Sequence, residues 1–195
     1  MFGYSYNSTG EYILAMFDPP HLTKLVRNAL GSWQKLVDDE GNLICWQHIV
    51  NLYEHQKKCG FTLANKITKQ HVNFEKNKMK VKYAAQLVSN SVANSLLTMC
   101  QLKYEGFDNV EGTVKYLRTF DRIFDIMNSR STAEYYGKAP LQSRNEQEWK
   151  SVFNDSVRYI CNLKTSSGKP VLNSGKYATF LGISLLLKGQ SLFLI

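Results

Sequence analysis

The sequence predicts a mainly α protein that opens with one short strand. Two observations carry this. Tyr12 to Phe17 is an apolar run with an aromatic at each end, and Asp18-Pro19-Pro20 stops it because proline cannot continue a central ladder. Beyond that point the apolar residues keep three- and four-residue spacing in almost every stretch, which is the period of a helix buried on one face.

In chain order, residues 1–11 are polar, aromatic and Gly-containing and read as a loop or edge segment. The strand covers 12–18. Leu22, Leu25, Val26, Ala29 and Leu30 predict a helix over 21–31. Asp38-Asp-Glu-Gly-Asn42 is a turn. Trp46, Ile49, Val50, Leu52 and Tyr53 line a helix that runs to about Lys58. Val81, Ala84, Ala85, Val88, Val92, Leu96 and Met99 predict the clearest helix, over 79–103, with Ser89, Asn90, Ser91 and Asn94 on its polar side and Gly106 closing the region. Val114, Leu117, Ile123, Phe124 and Met127 mark a helix over 110–128. Tyr135 to Pro140 is a linker, Trp149 to Ile160 a further amphipathic helix, and Thr165 to Pro170 a turn. The tail from Tyr177 is apolar and reads as helical or mixed.

The chain has 195 residues and a net charge of +8, which fits one or two compact units and favours a polyanionic partner. The positive charge is densest over 57–82, where eight lysines face the single acid Glu75. Such a stretch either tracks phosphates or is a solvated face. The four cysteines, at 45, 59, 100 and 161, form no CxxC pair, so a zinc finger is not expected. No signal peptide opens the chain, and Gly182, Lys188, Gly189 and Gln190 interrupt the apolar tail, so no membrane span is expected. The sequence ends within an apolar run, which reads as truncation.

Asp18 sits where a buried strand gives way to a helix, a rigid, open position suited to a catalytic or metal-binding acid. Its alternative role is to cap the helix. Asp125 reads, on spacing alone, as a helix aspartate paired with Arg122 or Arg118. GxxxxGK[ST] is not present, and Asn65-Lys-Ile-Thr68 lacks the aspartate of the G-protein guanine motif. The histidines His21, His48, His55 and His71 show no ligand spacing.

Phe17-Asp-Pro-Pro-His-Leu-Thr-Lys-Leu-Val-Arg-Asn28 resembles the segment around the second catalytic aspartate of P-element superfamily transposases, including the THAP-domain transposase-like proteins. Further blocks follow in that family's order: Trp46 to Val50, Lys80 to Gln86 with Ser89 to Ala93, and Phe120 to Arg130. A weaker block comprises Gly168-Lys-Pro, Phe180-Leu-Gly182 and Ser191-Leu192. The resemblance implies a mainly α chain: a helical GTP-binding insertion domain flanked by incomplete pieces of an RNase H-like α/β catalytic domain. Residues 1–22 would end the first catalytic part, 23–143 form the insertion, and 144–195 begin the returning part. It implies Asp18 as the middle of three carboxylates that hold a pair of magnesium ions, catalytic and metal-binding at once. It also implies a guanine nucleotide held by Lys66, Lys80, Val81 and Ser89, with Phe124 stacking on the base and Asp125 and Asn128 reading its edge. Transposon-end DNA, a nuclear location and an oligomer left open come with it; the zinc-binding THAP module is not in this chain. One carboxylate cannot hold a metal pair, so the chain as given is not expected to cut or join DNA. The competing reading is a basic helical module that binds nucleic acid through 57–82, or an interaction protein with no nucleotide and no catalysis.

Overall fold

A computed structural model describes residues 5–6, 12–13, 18–60, 67–128 and 145–193, with side chains described at 18–60, 67–128 and 145–188. The fold is mainly α, as the spacing predicts. Of the strand expected over 12–18, β2 (Tyr12–Ile13) is described and pairs antiparallel with β1 (Ser5–Tyr6), and 14–17 lie outside the described residues. Helix α1 (Pro19–Trp33) starts two residues earlier than the apolar pattern suggests, because Pro19 and Pro20 occupy its first turn, where a missing N–H is no loss.

A three-stranded antiparallel sheet follows that the sequence did not announce, in the order β4-β3-β5. Strands β3 (Lys35–Val37) and β4 (Leu43–Cys45) flank the expected Asp38 turn, and β5 (Lys164–Thr165) joins from far along the chain. Each strand has three residues or fewer, too few to show an alternation. Leu36 and Ile44 pair across the sheet and are fully buried. The turn is fixed by Asp38, whose Oδ1 accepts from the N–H groups of Glu40 (3.0 Å) and Asn42 (2.7 Å).

Helix α2 (Trp46–Cys59) ends at Gly60 in the left-handed region. A short α3 (Lys69–Val72) and a 3₁₀ turn (Phe74–Asn77) lead to α4 (Val81–Leu87) and α5 (Asn90–Gln101). Here the structure corrects the single helix expected over 79–103. The helix breaks at Val88–Ser89, where Ser89 is extended and its Oγ accepts from the Val92 N–H at 3.3 Å. A serine followed by Asn90 and Ser91 starts a helix more readily than it continues one, because its side chain competes for backbone donors. Helix α6 (Glu111–Met127), α7 (Glu146–Asn162) and α8 (Tyr177–Phe193) complete the chain, with a second 3₁₀ turn at Val171–Asn173. The expected linker at 135–140 lies outside the described residues.

One apolar core runs through the whole fold. Phe180 of α8 stacks on Trp33 of α1 at 5.8 Å and meets Phe120 of α6 edge-on at 6.2 Å. Tyr116 of α6 is buried and donates its hydroxyl to the Val26 carbonyl of α1 at 3.2 Å. The start of α6 lies close on β4: a Cβ at Gly112 would come within 2.6 Å of the Leu43 carbonyl. Helices α7 and α8 thus share one core, and through β5 one sheet, with the elements before residue 128. Among the described residues, no helix is long and apolar enough to cross a membrane.

Candidate functional site

Asp18 is exposed at the N-cap of α1, where Oδ2 accepts the His21 N–H at 3.1 Å. This is capping geometry. Among the described residues no group of three His, Cys, Asp or Glu could hold a metal ion.

The residues expected to hold a nucleotide fall in three places. Lys80 and Val81 open α4, Lys80 exposed and Val81 half-buried. The backbone just before them is pinned from α1. Arg27 Nη2 donates to the carbonyls of Asn77 (2.9 Å) and Lys78 (3.3 Å), and Asn28 Nδ2 donates to Lys78 at 3.3 Å. Arg27 is fully buried and has no carboxylate partner among the described residues; Nε and Nη1 lack a hydrogen-bond acceptor. Burial pulls its pKa down to about 10, which still leaves it charged at neutral pH. Its guanidinium lies 6.0 Å from the Phe74 ring centre. Phe74 also explains Gly31, one turn further along α1, where a Cβ would come within 2.5 Å of the ring. Thr23, Arg27 and Gly31 thus form a buried i, i+4, i+8 stripe, of which Arg27 and Gly31 meet this turn.

Ser89 stands at the corner between α4 and α5, its hydroxyl donating to the Gln86 carbonyl at 2.9 Å. Helix α6 runs antiparallel beside α5. The Asn90 N–H donates to Asp121 Oδ2 at 3.0 Å, and Arg118 donates to Asn90 Oδ1 (3.2 Å) and Asn94 Oδ1 (2.7 Å). Further along α6, Asp125 lies one turn past Asp121, about 6 Å on, and Asn128 caps the helix end. Both therefore extend past the start of α5, on the side of the Ser89 corner. Asp125 is half-buried and the Asn128 side chain exposed. Phe124 takes the neighbouring face of α6. It lines a small cavity of about 20 Å³ with Pro19, Leu22, Phe120, Met127 and Ile183, room for little more than a water. Lys66 lies outside the described residues.

The structure thus places Ser89 next to Asn90, whose N–H meets Asp121 one turn before Asp125, and sets Lys80 at the far end of α4, just after the backbone that Arg27 holds. Sequence reasoning does not find Arg27, Asn28 or the Asn90–Arg118–Asp121 cluster. The only signal for the first is the i, i+4, i+8 spacing of Thr23, Arg27 and Gly31 beside the apolar residues of an amphipathic helix.

A second polar cluster lies at β4. The Thr113 hydroxyl oxygen accepts the Cys45 N–H at 2.9 Å and sits 2.8 Å from His48 Nδ1. Burial holds the His48 pKa below its ordinary value. His71 is buried under α4, its Nε2 3.0 Å from Gln86 Oε1, and burial lowers its pKa too.

The described fold is mainly helical, with a polar corner where α4, α5 and α6 meet. Known proteins sharpen this. Residues 20–140 match the model of the "TNP-like, GTP-binding insertion domain". The chain is 30% identical over 188 residues to the human DNA transposase THAP9, covering 95% of this chain and 20% of that protein. It is 31% identical over 119 residues to the Drosophila melanogaster transposable element P transposase, covering 60% of this chain and 15% of that one. Its fold matches a chain of the Drosophila P element transposase strand transfer complex with a TM-score of 0.73 at 24% identity, over 95% of this chain and 40% of the other. The chain belongs to the TNP-like, GTP-binding insertion domain family of P-element superfamily transposases. It spans a fifth or less of the length of these two curated relatives.

Proposed function

We propose that this chain supplies the guanine-nucleotide-binding insertion of a P-element-type DNA transposase acting in the nucleus. The match of residues 20–140 to a GTP-binding insertion family carries the reading. The hydrogen bond from Asn90, the residue after Ser89, to Asp121, one turn before Asp125, is consistent with it. In this reading Asp125 accepts the guanine ring N–H and amino group side by side, Asn128 adds a hydrogen bond to the same edge, and Phe124 flanks the ring. Lys66 and Lys80 face the phosphates, and Val81 and Ser89 shape the wall. In this reading Asp18 is one of the three carboxylates of the DDE site, and DNA cutting and joining belong to the assembled catalytic domain.

Adenine presents an acceptor where guanine has its ring N–H, which would leave a carboxylate facing a lone pair. An unpaired buried polar group costs about 1–3 kcal/mol, so GTP should be preferred over ATP by roughly tenfold or more. The test is competition of GTP, ATP and xanthosine triphosphate against a fluorescent guanine nucleotide. The Asp125→Asn variant should lose GTP affinity and gain for xanthosine triphosphate. Equal binding of ATP and GTP by the wild type would remove Asp125 as the base reader.

A further inference from the structure

We propose that the outer face of residues 69–82 is a docking surface for the phosphate backbone of duplex DNA, with the buried Arg27 fixing the turn that carries its lysines. This stands apart from the nucleotide reading, with which it shares Lys80 and Val81.

Three observations carry it. Lys69, Lys76, Lys78, Lys80 and Lys82 are all exposed, against one acid, Glu75, in the same span. None of them makes an ion pair among the described residues, whereas Lys115 reaches Glu40 at 2.8 Å and Asp39 at 3.1 Å, and Lys150 pairs with Glu146. Beneath the same turn lies Arg27, a second layer of positive charge with no carboxylate to balance it. Positive charge concentrated without internal compensation repels itself, and a polyanion laid along it removes that repulsion while releasing its own counterions.

The shape decides between a nucleic acid and a bilayer. A membrane-surface segment needs an apolar face turned outward. Here His71, Phe74, Ala84 and Leu87 turn inward and are buried, and Met79 is the one large apolar side chain exposed in the span. Arg27 and Asn28 hold the carbonyls of Asn77 and Lys78, so the lysines on this turn project from a fixed backbone rather than a free loop. Preorganised charges bind a regular array of phosphates with less ordering cost.

The experiment measures binding of the full chain to a fluorescent DNA duplex across a salt series. The test variant carries Lys69→Gln, Lys76→Gln, Lys78→Gln and Lys82→Gln, leaving Lys80 for the nucleotide. A control removes the same charge elsewhere, through Lys103→Gln, Lys164→Gln, Lys169→Gln and Lys188→Gln, all exposed lysines. The test variant should flatten the slope of log affinity against log salt by roughly 0.9 for each phosphate left unneutralised, up to about 3–4 in all. The control should keep the wild-type slope, and both should melt as the wild type does and retain GTP affinity within about twofold. Equal flattening in test and control, an unchanged slope in the test variant, or tighter binding to anionic phosphatidylserine vesicles than to the duplex would each overturn the proposal. Failure of the wild type to bind GTP would sink the nucleotide reading and leave this one standing.

Discussion

The packing of α1 on the turn before α4, and that of α5 on α6, both use polar side chains to hold a helix start. They differ in what surrounds them. At the first, a guanidinium is fully buried and donates to two backbone carbonyls, with two of its nitrogens left without acceptors. At the second, Arg118 and Asn90 are exposed, and the side chains satisfy one another. Burial magnifies the value of a made hydrogen bond and the cost of a missing one, whereas water screens both. The first junction therefore sets stability, and the second sets local geometry at little energetic cost.

The sharpest break is Arg27→Ala. It opens a cavity beside Phe74 and deprives the Asn77 carbonyl of its donor. The cavity and the missing hydrogen bonds outweigh relief of the unpaired charge, because the side chain sits in a packed site. A loss of about 2–4 kcal/mol is expected. For a chain of this length that is a fall in melting temperature of roughly 5–15 °C. Arg27→Met keeps most of the volume and should cost only about 1 kcal/mol. If alanine and methionine destabilise equally, packing is not what the residue contributes.

A smaller effect is expected at the helix break. Ser89→Ala removes the cap on α5, whose Oγ accepts from Val92 at 3.3 Å. The expected cost is about 1 kcal/mol by chemical denaturation. Ser89→Asp should restore most of it, since aspartate also caps.

Acid should weaken the fold through its buried histidines. His48 and His71 have pKa values lowered mainly by burial, so the unfolded chain takes up protons more readily than the folded one. Their stabilising contribution is complete above the unfolded pKa, about 6.5, and is lost as pH falls through that value toward the lower folded values. Melting temperature should decline as pH falls from about 7.5 to about 5.5, and His48→Gln with His71→Gln should flatten that decline. A wild-type curve with no such slope would mean neither ring resists protonation.

The same contrast explains what is legible in the sequence. Helices α2, α6 and α7 each bury one continuous face, and their apolar spacing announces them. The three-stranded sheet escapes because its strands are too short to alternate, and β5 reaches β3 across most of the chain. Ser89 reads as part of the polar side of one helix, whereas its side chain starts another. Arg27 escapes for an electrostatic reason: a charge in an amphipathic helix reads as solvent-facing, and only the partner turn, fifty residues on, shows that it is buried. The candidate nucleotide residues come from the family resemblance, since their types and spacing form no motif that chemistry alone would single out.

The finest test of the contrast lies at Asp121. Its carboxylate accepts the Asn90 N–H at 3.0 Å, at the positive end of α5. Asp121→Asn keeps an acceptor of the same shape and removes the charge. In a half-exposed position the loss should stay below about 1 kcal/mol, since solvent screens the charge and the bond is retained. The useful comparison is with salt. The wild-type advantage over Asp121→Asn should shrink as ionic strength rises, because a helix-end charge interaction is screened. The deficit of Arg27→Ala should not shrink, because packing and buried hydrogen bonds are not. Denaturation of both variants at low and high salt measures this directly. A salt-independent deficit for Asp121→Asn would place that carboxylate in a desolvated setting and erase the distinction between the two regions.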